Sequence, residues 1–316
     1  MASTTINLAV VSSGKPIRNL PKQLRVASNA HTNELYRSVA AASRLSIHRL
    51  RITQGRDRIP VSDSADLTVK EFGLEEKDTI HVKDLGPQIS WRTVYIAEYL
   101  GPALIPVLFL FPLRPYLYMY NEIVDTMPEP NKRQQLLCAL LTIHFIKREY
   151  ESMFVHRFSN ATMPARNIVK NTSYYWLMVS SMAYQAFRPG PTSATPTPIS
   201  KTAMLCIGVA LFVFGELANM NAHFVLRDLR RPGSSERGIP CGLGFGMVTC
   251  PHYLFEIVSW VGIYLVGGIR NWSILVFIVV GSVQMALWSK KRERRYRLEF
   301  GGRYKPKRFV MIPGVV

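Results

Sequence analysis

Between Trp272 and Trp288 the chain carries no charged side chain. As a helix this run rises about 24 Å, close to the thickness of a bilayer core, with a tryptophan at each end where an aromatic belt would sit. A segment of this kind constrains the fold strongly. In lipid every backbone N–H and C=O must be paired within the segment, which leaves helices or closed barrels. Similar apolar runs recur from Tyr95 onward, so the sequence predicts a multi-span α-helical membrane protein of about six spans. The expected spans are residues 97–113, 134–146, 168–187, 203–220, 245–266 and 272–288. The first contains Pro102, Pro106 and Pro112, which membrane helices tolerate. The second is short for a span.

Composition limits the alternatives. A net charge of +18 in 316 residues would suggest nucleic acid as a partner for a soluble chain, but 48% hydrophobic residues, strongly clustered, point to a lipid bilayer and not to nucleic acid. Cys138, Cys206, Cys241 and Cys250 lack CxxC spacing and read as free thiols, with no metal site implied. Residues 1–30 lack an apolar core long enough for a cleavable signal peptide.

Residues 1–86 read as a separate, small α+β domain. Residues 6–11 form a strand-like run, Ser12-Ser13-Gly14-Lys15 is a turn, and a second extended stretch reaches Val26. Thr32 is a candidate cap for a helix carrying Leu35, Val39, Ala42 and Leu45 toward a core. Residues 47–52 and 79–82 are further strands. This order is similar to ubiquitin, without a terminal Gly-Gly, so a built-in ubiquitin-like cytosolic domain (1–86) precedes a membrane-embedded domain (87–316).

Charge orients the spans. With both termini in the cytosol, the loops on that side hold Lys147, Arg148, Arg157, Arg166, Lys170, Arg227, Arg230, Arg231 and Arg237, and the tail from Lys290 to Arg308 holds ten more cations. The opposite loops hold only Arg114, Lys132, Arg133, Arg188, Lys201 and Arg270. This asymmetry satisfies the positive-inside rule. The N-glycosylation triplets at Asn160, Asn171 and Asn271 are then expected to stay unmodified.

Four polar groups fall on the cytosolic side: His144 to Glu149, Asn219 to His223, Leu226 to Pro232, and Thr249 to Glu256. On a helix His252 lies four residues and Tyr253 three residues before Glu256, so all three share one face. A carboxylate at the bilayer centre costs about 2.5–3.5 kcal/mol on insertion scales, so Glu256 implies either a partner or wet cavity, or a position at the interface. The arginines likewise have two readings. They anchor the protein to the membrane surface, or they converge on the phosphates of a nucleotide or a coenzyme A thioester. Gly242-Leu-Gly244-Phe-Gly246 lacks the strand and helix that give a dinucleotide loop its meaning.

One block is more specific. Residues 147–176, opening Lys147-Arg148-Glu149-Tyr150 and closing Ser173-Tyr174-Tyr175-Trp176, closely resemble the very-long-chain trans-2-enoyl-CoA reductases of the steroid 5-alpha-reductase family. Asp84 to Arg92, Leu226 to Arg230, Thr249 to Tyr253 and the tail pattern of Tyr296, Phe300, Tyr304 and Ile312-Pro313 resemble the same branch. An N-terminal ubiquitin-like domain is usual there. The resemblance implies an NADPH-dependent reductase of the endoplasmic reticulum membrane that saturates a long-chain trans-2-enoyl-CoA in the last step of fatty-acid elongation, with other elongation enzymes as candidate partners. It implies Tyr253 as proton donor, with Lys147 and Arg148 as further catalytic residues. Asn219, His223, Arg227, Arg230, His252, Glu256 and Tyr304 become candidates for holding NADPH. The sequence departs from the family at His252, commonly Asn, at Glu293, where a histidine is common, and at Phe145, where the steroid branch carries Tyr. A reductase of another conjugated lipid (a steroid enone or polyprenol) and a non-catalytic membrane adaptor are the alternatives.

Overall fold

The computed structural model describes residues 4–118, 128–158, 161–189, 199–229 and 238–316. Two compact units emerge: Met1–Trp91 with Asn160–Asn167, and Arg92–Ser159 with Ile168–Val316.

The first unit is a five-stranded mixed sheet with one helix. Strands β1 (Thr5–Ser12), β2 (Gln23–Ala27), β3 (Leu50–Gln54), β4 (Ile59–Pro60) and β5 (Thr79–Asp84) take the order β2-β1-β5-β3-β4, and only the β1–β5 pair is parallel. Alternation in β1 buries Ile6, Leu8 and Val10 while leaving Thr5 and Val11 exposed. Those residues meet Ile52, Ile80 and Val82 and one face of α1 (Thr32–Ser43) in a mainly apolar core. That face is Leu35, Tyr36, Val39 and Ser43, whereas Ala42 is exposed. Tyr36 belongs inside because its hydroxyl donates to the Val61 carbonyl (2.8 Å) and accepts from the Ile52 amide (3.2 Å). Thr32 is not the cap. His31 holds that position, and Thr32 opens the helix with its hydroxyl on the Ser64 backbone. Arg49 grips Asp84 with two hydrogen bonds (3.0 and 2.6 Å), and this fork holds the Asp84 carboxyl below its usual range. A short antiparallel pair, β6 (Gln88–Ser90) with β7 (Thr162–Pro164), carries this unit beyond residue 86.

The second unit is helical. Its main elements are α2 (Trp91–Leu110), the short α3 (Arg114–Tyr118), α4 (Lys132–Tyr150), α5 (Arg166–Phe187), α6 (Ile199–Asp228), α7 (Pro251–Gly267) and α8 (Trp272–Phe300). Each of the six segments expected to span lies on one of these helices, and three stretches are long and apolar enough to cross a membrane: Trp91–Leu110, Thr202–Asp228 and Trp272–Arg303. Several boundaries differ from expectation: α2 ends at Leu110, which leaves Pro112 beyond it, and α6 runs past both ends of its expected span. The second segment is longer, because an Asn131–Gln134 capping box starts α4 early and a π-helical turn, Glu151–Val155, extends its end. The fifth starts at Pro251 rather than residue 245, because Gly242 (φ 117°) and Gly244 (φ 80°) hold the preceding chain in turns and proline favours the first helical turn. Trp272 and Trp288 are both exposed, as belt residues would be.

Helices α6 and α7 pack most closely. A Cβ on Gly215 would lie 2.5 Å from the Ser259 amide nitrogen, and one on Gly262 would lie 2.5 Å from the Gly208 carbonyl oxygen. Small residues permit this backbone approach, as is usual between membrane helices. Its consequence is that the polar residues neighbouring those glycines, Glu216 and Asn219 on α6 and Glu256 and Ser259 on α7, are forced together.

Of the glycosylation triplets, Asn271 is buried and caps α8, Asn171 donates to Glu98 (3.0 Å), and Asn160 lies outside the described residues.

Candidate active site

Three helices each present one polar face. On α4 and its π-turn, His144, Lys147, Arg148 and Glu151 follow helical spacing; on α6, Glu216, Asn219 and His223; on α7, His252, Glu256 and Ser259. The faces meet in one buried cluster. His144 Nδ1 lies 2.7 Å from Glu216 Oε1, and its Nε2 lies 3.4 Å from Glu256 Oε1. The ammonium of Lys147 donates to Asn219 Oδ1 and pairs with Glu216 (3.2 Å) and Glu151 (3.1 Å). Asn219 Nδ2 donates to Glu256 Oε2 (3.0 Å) and to the His252 carbonyl (2.8 Å). Ser259 donates to Glu216. Glu216, His144, Glu256, Asn219 and Lys147 thus close a ring of polar contacts across α4, α6 and α7.

Arg148 continues the network. It pairs with Glu151 (2.6 Å), approaches His223 Nε2 (3.2 Å), and donates to the Tyr99 hydroxyl (3.2 Å) from α2, with its guanidinium carbon 5.2 Å from that ring's centroid. Ligand atoms of Glu151, His156 and His223 lie within 4.8 Å of one another, a spacing open to a metal ion, but the guanidinium already takes the cation position on two of them. His156, beyond the π-turn, is pushed down to about 3 by burial, with Arg148 and Lys147 adding to the effect, and stays neutral.

Tyr253 sits at the edge of this cluster. Its ring centroid is 4.2 Å from that of His252 and 6.3 Å from that of Trp288. Its hydroxyl has no hydrogen-bond partner among the described residues, while Tyr95 and Arg292 lie within electrostatic range. The family resemblance pairs Lys147 with Tyr253 as a further catalytic residue. Lys147 is held by three other partners, and Arg292 of α8 serves as the cation in range of this phenol, itself hydrogen-bonded to Tyr296.

The expected residues therefore divide. Lys147, Arg148, Asn219, His223, His252, Tyr253 and Glu256 converge. Arg227 does not, because it is turned to its neighbour Asp228 (2.7 Å) and lies over Phe224. Arg230 lies outside the described residues. Tyr304 packs with Tyr296 and Phe300 and donates to Glu293 (2.6 Å), and burial, reinforced by that carboxylate, holds its phenol above the usual range. Glu293 also accepts from Thr249 (2.6 Å), so this pair fixes the turn ahead of Tyr253. Glu151, Glu216, Ser259, Tyr99, Arg292 and the buried Glu98 were missed. Glu216 and Ser259 had a signal, since each lies three residues from an expected site residue, and Tyr99 lies four from Tyr95. Nothing in the sequence marked Arg292 out from the other tail cations.

Some polar groups here retain unused capacity. His252 Nδ1 and His156 Nε2 are buried without partners, and among the described residues Glu256 Oε1 has only the long contact to His144 and the Tyr253 hydroxyl makes no hydrogen bond. Donors, acceptors and cations of this kind fit a nicotinamide nucleotide, whose carboxamide both donates and accepts and whose phosphates need positive charge.

Residues 161–316 match the family of 3-oxo-5-alpha-steroid 4-dehydrogenases. An enoyl reductase of Schizosaccharomyces pombe is 38% identical over 98% of this chain and 99% of its own length. The very-long-chain enoyl-CoA reductase of Dictyostelium discoideum is 37% identical over 91% of this chain and 92% of its own. A very-long-chain enoyl-CoA reductase of Caenorhabditis elegans is 34% identical over 88% and 90%. These relatives, with the three long apolar helices, mark a membrane-associated oxidoreductase of a class that uses a nicotinamide cofactor. Within that class, the chain belongs to the enoyl-CoA reductase branch of the steroid 5-alpha-reductase family.

Proposed function

We propose that the protein reduces long-chain trans-2-enoyl-CoA to saturated acyl-CoA with NADPH, the closing step of a fatty-acid elongation cycle, at the cytosolic face of the endoplasmic reticulum membrane. The observation that carries this reading is the Tyr253 hydroxyl, without a hydrogen bond among the described residues, within electrostatic range of Arg292 and at the edge of a buried polar cluster built from three helices. Bound, NADPH supplies a hydride to the β-carbon of the conjugated thioester. Tyr253 protonates the α-carbon from its hydroxyl, and Arg292 stabilises the phenolate left behind. Glu256 offers Oε1 to the nicotinamide carboxamide, and His252 offers Nδ1. Asn219, whose two donors and acceptor are all engaged, braces Glu256 and Lys147 rather than meeting the cofactor directly. Arg148 holds Glu151 and His223 in place and lends positive charge to the site.

The positive-inside charge and the helices that carry the six expected segments support six crossings with both termini in the cytosol. The sheet order β2-β1-β5-β3-β4, with α1 packed on one face, supports a ubiquitin-like domain for the N-terminal unit. Other elongation enzymes are candidate partners for it.

A substrate panel tests the function. Purified protein is expected to consume NADPH with a long-chain trans-2-enoyl-CoA and to turn over a steroid enone or a polyprenol at least tenfold more slowly. Preference for either of the latter would move the protein to another branch, and no turnover with any would favour an adaptor.

A further inference from the structure

The open face of the N-terminal sheet carries charge that the reductase chemistry does not use. Strand alternation sends Arg51 and Thr53 of β3, and His81 and Lys83 of β5, to the face away from α1. The antiparallel register sets Arg51 directly opposite Lys83, and like charges so placed repel. A third cation joins them. Arg58 sits in the β3–β4 turn with φ at 54°, a left-handed conformation unfavourable for arginine, and its guanidinium donates to the Ser13 hydroxyl (3.1 Å). Ser13, Arg51, Thr53, Arg58 and Lys83 line one shallow cavity of about 160 Å³.

No carboxylate lines this cavity. Most of the unit's acids gather in another segment, as Asp63, Asp66, Glu71, Glu75, Glu76 and Asp78, where several are tied down: Glu71 by Thr68, Glu76 by Asn7 and Asp78 by Gln54; Glu34 on α1 and Asp57, next to Arg58 in the β3–β4 turn, do not line the cavity. Asp84, next to Lys83 on β5, is spent on Arg49. His81, partly buried beside Arg58, is pushed down by burial first and by that guanidinium second, and an imidazole supplies no counter-charge in either state.

We propose that this cradle binds a phosphomonoester. Three converging cations and two hydroxyls ask for a compact dianion with several acceptor oxygens, which a phosphomonoester supplies and a single carboxylate does not. The favoured source is a membrane lipid headgroup. The chain leaves β5 at Asp84 and enters the first apolar helix at Trp91, seven residues on, which is at most about 25 Å of extended chain. The cradle is thereby tethered close to the headgroup layer, where basic clusters and anionic lipids attract.

Hydrogen exchange on the full chain in nanodiscs tests this. Phosphatidylcholine discs are compared with discs containing phosphatidylinositol and with discs containing its 4-phosphate, and inorganic phosphate or coenzyme A is added to the plain discs in separate arms. The 4-phosphate discs are expected to slow exchange at least fivefold over residues 50–60 and 79–84, relative to phosphatidylinositol discs. Arg51→Gln with Lys83→Gln should abolish that protection and leave reductase turnover unchanged. Equal protection by the soluble phosphates would overturn the lipid source while keeping the phosphomonoester cradle. Absence of protection by every phosphate probe, or protection that survives the double substitution, would overturn the site itself.

Discussion

The two units bury opposite kinds of residue. The core of the N-terminal unit is Leu8, Leu35, Val39, Ile52, Ile80 and Val82, each fully buried, and its ion pair Arg49–Asp84 lies outside that core, partly exposed. The helical unit has an apolar core too, around Leu141, Phe145, Met182 and Ile263, but beside it lies a cluster with Glu151 at 0% exposure, Asn219 at 1% and His144 at 2%. Burying charge is weak as a source of stability, because desolvation offsets most of the Coulomb gain. The apolar core accounts for a fold, whereas the charged cluster calls for a further purpose, and the proposed chemistry beside Tyr253 supplies one.

The sharpest way to break this comparison is to remove one charge from each unit's interior or its equivalent. Lys147→Met leaves Glu151 and Glu216 facing each other without their shared cation, and breaking such a buried set costs about 3–5 kcal/mol. Thermal unfolding in detergent should show that loss together with loss of turnover. Adding Glu216→Gln should recover part of the stability and none of the activity, which a double-mutant cycle would read as coupling. Purely additive effects would mean the ring does not act as a unit.

In the N-terminal unit, Ile52→Ala should cost about 2–5 kcal/mol of that unit's own stability by opening a cavity beneath α1. Exchange rates in β1 and β5 should rise, while turnover stays within about twofold at temperatures where the unit remains folded. A tenfold fall in turnover under those conditions would tie the sheet to the chemistry.

The smallest effect concerns Asp84. Its carboxyl is depressed by Arg49, so its contribution is present above the ordinary value near 3.9 and is lost as pH falls through the lower folded value. For a partly exposed pair this is worth no more than about 1 kcal/mol. Asp84→Asn should therefore remove about that much at pH 7 and flatten the acid limb of the unit's stability curve below about pH 4. An unchanged acid limb would show that the fork is idle.

Much of this architecture was legible where a helical repeat carried it. Lys147, Arg148, Asn219, His223, His252, Tyr253 and Glu256 fall on three apolar helices at spacings that select one face each, and they converge. Arg227 belongs to the last turn of α6, where it finds Asp228 rather than the cluster, and no repeat constrains a residue at a helix end in that way. Glu216 was readable in principle, as an ionisable residue inside an apolar run. Arg292 was not, because ten tail cations look alike in sequence and only the packing of α8 beside Tyr253 distinguishes one of them. Thr32 and Ala42 failed for a local reason. The helix starts at Thr32 with His31 as its cap, and its inward stripe runs through Leu35, Tyr36, Val39 and Ser43, which leaves Ala42 outside it.

The central claim is that the proposed proton donor is Tyr253 and that the three-helix cluster exists to serve it. Tyr253→Phe keeps the ring against His252 and Trp288 and removes only the hydroxyl. Steady-state NADPH oxidation with a long-chain trans-2-enoyl-CoA should fall about 10²–10⁴-fold in kcat, with NADPH affinity and melting temperature unchanged. Full retention of turnover in the folded variant would contradict the account.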